Sequence, residues 1–361
     1  MKSRIAILTG GGDCPGLNGV IRAVTKKAIL EHNMEVFGFE DGYQGLIENR
    51  YRRLDFEAVS GILTLGGTIL GTSNKANPYK YLEPRIDEAQ PQDVSERAIA
   101  NIKKNKIDCL VCIGGDGTLK IAHRLCEDGI PIVGVPKTID NDIRGTEITF
   151  GFDSAVEIAT DGIDRLHTTA QSHHRVMILE VMGRTAGWIA LHAGVAGGGD
   201  VILIPEIPYD INLVAQRVKE RSQKGKRFSI IVVAEGAKPK GGGVTVKKIV
   251  KDASEPVRLG GIGFTLADEI EQRTGLECRA VVMGHLQRGG SPSSYDRVLA
   301  TQFGTQVVNM IRDKRFGHMV GWQGGRMVDV ALQEVAKGPR LIPTDHMLVR
   351  AARSVGTCFG D

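Results

Sequence analysis

The feature that most constrains the fold of this chain is a recurring unit: a short aliphatic run, a glycine-rich or polar loop, and a helix-like segment. Strands buried on both faces read as continuous Val/Ile/Leu runs, and their alternation with helices is typical of parallel sheets. The clearest copies are RIAILTGGGDCPGLNGVIRAV, DCLVCIGGDGTLKIAHRL, IPIVGVPKTIDND, RVMILEVMGRTAGWIALHA, FSIIVVAEGA and RAVVMGHLQRGGSP. The pattern predicts an α/β fold with mostly parallel sheets, and 361 residues favour about two domains.

The polar clusters of the chain come directly after these aliphatic runs. Ligands of parallel α/β sheets bind beyond the carboxyl ends of the strands. We therefore predict a composite site built from at least six loops. The segment KPKGGGVTVKK, Lys238 to Lys248, lies outside this pattern and is predicted to be a surface loop.

Charge and composition exclude several classes of function. The chain has 46 Lys+Arg against 42 Asp+Glu and no basic block, which argues against nucleic-acid binding. No apolar run approaches a membrane span, and the N-terminal run is too short for a signal peptide. The six scattered cysteines indicate reduced thiols and a cytoplasmic protein, with Cys109 and Cys112 interpreted as core residues of a strand.

Two glycine loops favour phosphate binding. Turns without Cβ atoms let backbone N–H groups converge on a phosphate, helped by the helix N-terminus that follows. The first loop, Gly10–Asp13, does not fit the dinucleotide pattern, because Pro15 stands where a glycine is needed. The second, Gly114–Thr118, adds Asp116, a carboxylate suited to Mg²⁺. The alternative is a tight turn in which Asp116 caps a helix.

The stretch PKTIDND, Pro136 to Asp142, contributes a lysine, a threonine and two aspartates after the run IPIVGV. Phosphoryl transfer needs a group that accepts the proton of the attacking hydroxyl, a metal, and positive charge around the phosphoryl group. The alternative makes the aspartates caps and turn formers, and Lys137 a surface residue. Two further polar clusters, MGR and HLQRGG, also end strand-like runs and favour an anion site.

Taken together, these motifs resemble 6-phosphofructokinases of the bacterial type, the phosphofructokinase A family, in its mixed-substrate group. The resemblance runs from Thr9 to Arg297. The matching motifs are TGGGDCPGLN, DGYQGL, LGTS, GGDGT, PKTIDNDI, SHHRVMILEVMGRTAGW and MGHLQRGGSPSSYDR. It implies two Rossmann-like three-layer domains with an active-site cleft between them. The larger, residues 1–151 plus about 287–337, would bind ATP and Mg²⁺; the smaller, about 152–286 plus 338–361, would bind fructose 6-phosphate.

The implied reaction is transfer of the ATP γ-phosphoryl group to O1 of fructose 6-phosphate in a homotetramer. By the resemblance, Asp140 is the base, with Thr138 and Asp142 beside it, and Lys137 and Arg184 supply positive charge. Asp116 would hold Mg²⁺. The residues implied for ATP are Gly11, Asn74, Lys75, Gly115, Asp116, Gly117 and Thr118.

The resemblance assigns the sugar phosphate mainly to residues of the smaller domain. Arg175 and Arg279 match arginines that reach in from a neighbouring subunit, so the active sites would be shared between subunits. The residues implied for fructose 6-phosphate are Thr138, Asp140, Arg175, Met182, Gly183, Arg184, Glu235, Arg279, His285 and Arg288.

Two departures bear on the phosphoryl donor. Asn74 and Lys75 stand where ATP-using relatives commonly carry an arginine, and Lys137 is typical of pyrophosphate-using relatives. Those relatives usually carry aspartate at position 117, where a carboxylate would repel an ATP α-phosphate. Gly117 therefore predicts ATP as the donor, with Gly117 and Lys137 setting donor specificity.

Three alternatives stay open at this point. A pyrophosphate-dependent phosphofructokinase would keep the acceptor and change the donor. GGDGT also occurs in NAD-kinase and lipid-kinase families, which do not account for PKTIDND or MGHLQRGGSP. A catalytically silent sugar-phosphate sensor would not require Asp116, Asp140 and Arg184 together.

Overall fold

The structure, a computed structural model, describes residues 2–83, 90–249 and 257–361. The strands are β1 Arg4–Gly10, β2 Glu35–Phe39, β3 Tyr51–Leu54, β4 Cys109–Gly114, β5 Ile132–Pro136, β6 Val176–Val181, β7 Val201–Leu203, β8 Ser229–Ala234, β9 Val246–Ile249, β10 Val257–Leu259, β11 Cys278–Val282, β12 His318–Gln323 and β13 Arg326–Ala331. The helices are α1 Leu17–His32, α2 Tyr43–Glu48, α3 Ser95–Lys104, α4 Asp116–Glu127, α5 Phe152–His173, α6 Trp188–Ala196, α7 Ile211–Gln223, α8 Ile262–Thr274, α9 Ser294–Arg312, α10 Leu332–Ala336 and α11 Met347–Ser354. Short 3-10 helices occupy Ile62–Thr64 and Gly284–Arg288.

The chain divides into two compact units. The first comprises the chain up to Thr138, Ile143–Gly151 and Arg288–Pro339. The second comprises Ile139–Asp142, Phe152–Gln287 and Arg340–Asp361. The assignment of nucleotide to one unit and sugar phosphate to the other stays a prediction.

The first unit is built on a seven-stranded sheet in the order β13-β12-β5-β4-β1-β2-β3. The five central strands run parallel, and the two edge strands β3 and β13 pair antiparallel. All six residues of β4 are buried, including Cys109 and Cys112, which confirms their interpretation as core residues. Burial on both faces explains why this strand reads as an unbroken aliphatic run.

The second unit is built on a four-stranded sheet in the order β11-β6-β8-β7, with every pair parallel. The strands β6 and β8 are buried along their whole length. The α/β prediction with mostly parallel sheets is therefore confirmed.

One local prediction was wrong in part. The segment Lys238–Lys248 was expected to be a surface loop; residues 238–245 lie outside the helices and strands, whereas Val246–Lys248 lie in β9, which pairs antiparallel with β10. Val246 is exposed, so the strand begins without the buried aliphatic run that the sequence could display.

Among the helices that the described residues form, none is both long enough and apolar enough to cross a lipid bilayer.

Candidate active site

The two glycine loops lie at the point in the first sheet where the strand order reverses. The chain leaves β1 for β2 on one side and leaves β4 for β5 on the other, and β1 and β4 are themselves neighbours with Gly10 opposite Gly114. Such a reversal separates the loops that follow the two strands and leaves a crevice for a ligand at their carboxyl ends. The topology therefore places the Gly10–Asp13 and Gly114–Thr118 loops side by side.

The first turn of α4 sits directly on the glycines that end β1 and β4. A Cβ atom on Gly114 would lie 2.3 Å from Cβ of Thr118, and one on Gly10 would lie 2.6 Å from Thr118 Oγ1. The buried Tyr43 hydroxyl donates to the backbone oxygen of Thr118 at 2.8 Å. Glycine at positions 10 and 114 thus lets the N-terminus of α4 pack against the carboxyl ends of β1 and β4, next to the crevice.

The LGTS motif holds the first glycine loop in place. Gly11 has a φ of 79°, which favours glycine, and its N–H donates to the Ser73 carbonyl at 3.0 Å. The Thr72 hydroxyl donates to the Gly11 carbonyl at 2.7 Å. Asn74 and Lys75, which follow directly, are exposed. The structure therefore brings the residues predicted for the nucleotide phosphates together in the first unit.

Asp116 is the first residue of α4, and its carboxylate is 45% exposed. Its Oδ1 accepts from the Gly117 N–H at 2.7 Å, and its Oδ2 accepts from Lys120 Nζ at 2.9 Å. No group of three or more metal-ligating side chains occurs within the described ranges. Mg²⁺ is commonly held by one or two carboxylates plus substrate phosphates, so the single accessible carboxylate of Asp116 fits that ion.

Gly117 faces open space. A Cβ atom built on it would meet nothing within 4 Å, whereas one on Gly114 would collide with Thr118. The glycine at position 117 is therefore not required by packing.

Lys137 is not a surface residue, because it is only 3% exposed. Its Nζ donates to the Gly12 carbonyl, and its backbone N–H donates to the Gly114 carbonyl at 3.0 Å. The interpretation of Lys137 as a surface lysine after a proline is wrong. The lysine joins the loops that follow β1, β4 and β5.

The loop that carries Asp140 and Asp142 passes from the first unit to the second after Thr138. The Thr149 hydroxyl donates to the Thr138 carbonyl at 2.8 Å and anchors the start of the loop. At its far end, Asn141 is buried with a φ of 51°, and the carbonyls of Asn141 and Asp142 accept from Arg340. Non-glycine residues are uncommon in this left-handed conformation, and asparagine tolerates it best.

Loops of the second unit bring together five of the ten residues predicted for the sugar. Met182–Arg184 follow β6, and Glu235 follows the neighbouring β8, with Val181 opposite Ala234. The Gly236 N–H donates to the Gly183 carbonyl at 3.1 Å, and a Cβ on Gly236 would come within 1.9 Å of the Arg184 carbonyl. His285 follows β11 on the other side of β6 and is exposed.

Arg288 belongs to the first unit rather than the second. Its Nη1 donates to the Asp13 carbonyl at 3.0 Å, and a Cβ on Gly12 would lie 2.8 Å from the same nitrogen. The structure therefore places this arginine on the first glycine loop.

Arg175 and Arg279 lie away from Met182 and His285, the predicted sugar residues that follow the same two strands. Both sit at the amino ends of β6 and β11, whereas Met182 and His285 follow the carboxyl ends, about 20 Å along the strands. Arg175 Nε donates to Glu277 at 2.7 Å and Arg279 also pairs with Glu277. The hydrogen bond from Arg175 lowers the pKa of the Glu277 carboxyl.

Sequence reasoning missed the residues that support the Asp140 loop. Trp188 begins α6 shortly after Arg184, and its indole N–H donates to the Arg340 carbonyl at 3.0 Å. Glu206 accepts from the N–H of Gly187 and Ile342, at 3.1 Å and 3.0 Å, and burial raises the pKa of its carboxyl. Trp188 ends the motif SHHRVMILEVMGRTAGW, but neither Glu206 nor Arg340 belongs to any local sequence motif.

Comparison with known proteins finds similarity to phosphofructokinases that are named for two different phosphoryl donors. The sequence pattern of the family described as Phosphofructokinase matches residues 4–311. A Clostridium perfringens protein named "ATP-dependent 6-phosphofructokinase 2" is 53% identical over 99% of this chain and 98% of its own. An Amycolatopsis methanolica protein named "Pyrophosphate–fructose 6-phosphate 1-phosphotransferase" is 51% identical over 95% of this chain and 97% of its own.

A solved structure is similar as well. The T-state crystal structure of Pichia pastoris phosphofructokinase has a TM-score of 0.81 and is 31% identical. The match covers 93% of this chain and 36% of the yeast chain, so this chain spans about a third of that relative's length.

Proposed function

The chain belongs to the phosphofructokinase family, and from that premise we propose that it transfers the γ-phosphoryl group of ATP to O1 of D-fructose 6-phosphate. The products are ADP and fructose 1,6-bisphosphate. The observation that carries the proposal is the open space beside Gly117 at the N-terminus of α4. Support comes from relatives between 46% and 53% identical over nearly the whole chain that are named ATP-dependent 6-phosphofructokinase.

In this proposal the nucleotide phosphates bind at the two glycine loops. Backbone N–H groups of Gly115 and Thr118 would donate to phosphate oxygens, assisted by the dipole of α4. Gly11 and Gly117, whose N–H groups donate to Ser73 and Asp116, would let the phosphates approach the backbone because they carry no side chain. Asn74 and Lys75, exposed beside the Gly11 loop, would extend this contact. Lysine provides a point charge there and no bidentate fork.

Asp116 is the residue that would hold Mg²⁺. Held there, Mg²⁺ would supply positive charge that offsets the negative charge of the phosphates during transfer. Lys120, which pairs with Asp116 at 2.9 Å, would exchange that carboxylate for contact with solvent or phosphate. Loss of the Lys120–Asp116 pair would cost little free energy, because exposed ion pairs four residues apart on a helix stabilise the folded state by only about 0.3–0.5 kcal/mol.

Asp140 is the proposed general base for the 1-hydroxyl of the sugar. A carboxylate that accepts this proton as the oxygen attacks lowers the barrier, and Asp142 would keep it oriented. Thr138 would contact the sugar at the same loop. Lys137 and Arg184 would stabilise the charge that develops on the transferring phosphoryl group.

The sugar phosphate would bind at the loops of the second unit, together with Arg288. Arginine forks match phosphate oxygens, while Glu235 and His285 can hydrogen-bond sugar hydroxyls. The remaining proposed contacts in this chain are made by Met182, by the backbone of Gly183 and by Arg184.

Arg175 and Arg279 are proposed to act on the site of a neighbouring subunit in a homotetramer. Their position at the amino ends of the strands supports this, because the sugar loops of the same chain follow the opposite ends. The cytoplasmic location expected from the reduced cysteines stays a prediction.

A second candidate keeps the same acceptor and uses pyrophosphate. The Amycolatopsis methanolica relative is named for that donor, and the buried Lys137 at the first glycine loop is the feature that favours it. Gly117 favours ATP instead, since glycine adds no carboxylate beside the α-phosphate of the nucleotide.

One assay separates these functions. Purified protein with Mg²⁺ and fructose 6-phosphate should form fructose 1,6-bisphosphate at a high rate with ATP and little with pyrophosphate. A higher rate with pyrophosphate would assign the second candidate. Binding of the sugar phosphate without turnover by either donor would indicate a sensor, and ADP release that does not depend on the sugar would indicate another acceptor.

A further inference from the structure

The segment Arg340–Ile342 makes an unusual set of contacts within the second unit. The Arg340 backbone N–H donates to the Asp142 carbonyl at 2.7 Å, and its guanidinium Nη2 donates to the Asn141 carbonyl, also at 2.7 Å. Two successive carbonyls of the loop after β5 are therefore held by one residue that lies about 200 positions further along the chain. Both peptide groups adjoin Asp142, and the first belongs to Asn141, the residue next to Asp140.

The guanidinium of Arg340 is itself held in place. It lies 4.2 Å from the centre of the Trp188 ring, and the Trp188 indole N–H donates to the Arg340 carbonyl at 3.0 Å. Stacking on one face and a hydrogen bond at the backbone restrict the arginine to a narrow range of orientations. Trp188 is buried and starts the helix that follows Arg184.

A buried carboxylate anchors the other end of the segment. Glu206 accepts from the Ile342 N–H at 3.0 Å and from the Gly187 N–H at 3.1 Å. Gly187 directly precedes α6 and is three residues after Arg184. The segment thus contacts both the loop of the proposed base and the turn that follows Met182–Arg184.

We propose that Arg340 is a positioning residue for the phosphoryl-transfer reaction, which it serves by joining the Asn141–Asp142 backbone to Trp188 at the start of α6. The inference rests on the proposed function of Asp140. Asn141 has a left-handed φ of 51°, a conformation that non-glycine residues adopt uncommonly and asparagine most readily, so the loop turns sharply between the two aspartates. Arg340 donates to the carbonyl of Asn141 and to that of Asp142, and the aspartates on either side of Asn141 keep their directions as a result.

Loss of Arg340 should affect the orientation of Asp140 and leave the binding of both substrates nearly unchanged. A loosened loop would still bind both substrates through the glycine loops, Arg184 and Glu235, but it would present Asp140 at a less productive angle. Misplacement of a reacting group by about 1 Å costs on the order of 10²-fold in rate. A residue with a merely structural role would instead lower thermal stability and leave the kcat of the folded protein unchanged.

The test is a kinetic comparison of Arg340→Ala, Arg340→Lys and Arg350→Ala. We expect Arg340→Ala to lower kcat about 10- to 100-fold while the KM values for ATP and fructose 6-phosphate change less than about threefold. Arg340→Lys keeps a donor for one carbonyl and should recover part of the loss. Guanidinium ion added at non-denaturing concentration should raise the kcat of Arg340→Ala saturably. The control, Arg350, is an exposed arginine of the same C-terminal region and should behave as wild type.

Trp188→Phe provides a second variant in case Arg340→Ala does not fold. It keeps a ring beneath the guanidinium but removes the N–H that donates to the Arg340 carbonyl, and we expect a kcat loss of about two- to tenfold. An active wild type together with unchanged kcat in folded Arg340→Ala, or in Trp188→Phe if Arg340→Ala does not fold, would overturn the positioning role alone. A wild type that forms no fructose 1,6-bisphosphate would overturn the proposed function, and the positioning role with it.

Discussion

The ammonium group of Lys137 donates to the carbonyl of Gly12, so the lysine of PKTIDND lies beneath the glycine loop that follows β1. Because the side chain is 3% exposed, its charge acts in a region that water screens weakly. This places a fixed positive charge beside the proposed phosphate site.

The first prediction is that removal of the Lys137 charge slows phosphoryl transfer from ATP. Lys137→Met keeps the approximate volume and removes the ammonium group, so kcat with ATP should fall about 10²-fold, in the range for loss of an electrostatic donor. Initial rates with each donor measure it, with the exposed Lys103→Met as a control. If Lys137→Met kept full activity and normal thermal stability, the lysine would have no part in transfer.

Donor preference is expected to depend on position 117. Gly117→Asp should lower kcat/KM for ATP at least about 10²-fold through repulsion of the α-phosphate, and pyrophosphate should lose much less. Gly117→Asn, of equal size and no charge, should show a smaller effect. Since the site has room for a side chain, both variants should fold. Equal losses with both donors, or equal losses in Asp and Asn variants, would contradict a charge effect.

The role of Asp140 can be tested by a change of one atom type. Asp140→Asn should lower kcat by about 10²–10⁴-fold with KM values nearly unchanged, as expected for loss of a general base. Steady-state kinetics at several pH values provide the measurement. Asp161→Asn, an exposed aspartate of α5 that pairs with Arg165, is the matched control. Near-normal turnover of Asp140→Asn would require another base.

Subunit sharing predicts complementation. Arg175→Ala and Arg279→Ala should each raise the KM for fructose 6-phosphate, since a charge-assisted hydrogen bond contributes about 1.5–3 kcal/mol. Mixed tetramers of either variant with Asp140→Asn subunits should regain activity, because some sites would then carry both an intact base and an intact arginine. Arg165→Ala serves as the control. Subunit exchange verified by mass spectrometry without any regained activity would count against arginines acting in trans.

The stability of the second unit should respond to acid through His192. Burial, followed by the positive charges of His346 and Arg340, lowers the pKa of His192 from 6.5 to about 4. The neutral form is thus favoured in the folded state; the stability it contributes is fully present above pH 6.5 and is lost as the pH falls toward 4.

His192→Gln should remove that dependence. Between pH 7.5 and 4.5, wild type should lose about 2–3 kcal/mol more of its free energy of unfolding than the variant. Urea titrations at the two pH values give the comparison. Equal losses would mean that His192 takes up a proton in the folded state as readily as in the unfolded state.

Much of the fold could be predicted because continuous aliphatic runs such as those of β4, β6 and β8 are typical of strands buried on both faces. The glycine loops were predictable because their backbone geometry requires glycine. Gly11 has a positive φ, and a Cβ atom on Gly114 would collide with Thr118. The support of the Asp140 loop was not predictable. Arg340 and Glu206 act through backbone atoms of distant residues, and any residue type can offer a carbonyl or an N–H, so the sequence carries no signal of the pairing.

The glycines around α4 differ in how much they can vary. Gly114 and Gly10 are confined by Thr118, so substitutions there should appear in a random library as proteins that fail to accumulate. Gly117 is free of such confinement, so substitutions there should accumulate as folded proteins with altered donor use. A lineage could therefore change its phosphoryl donor by mutation at this position without first acquiring compensating changes in the core.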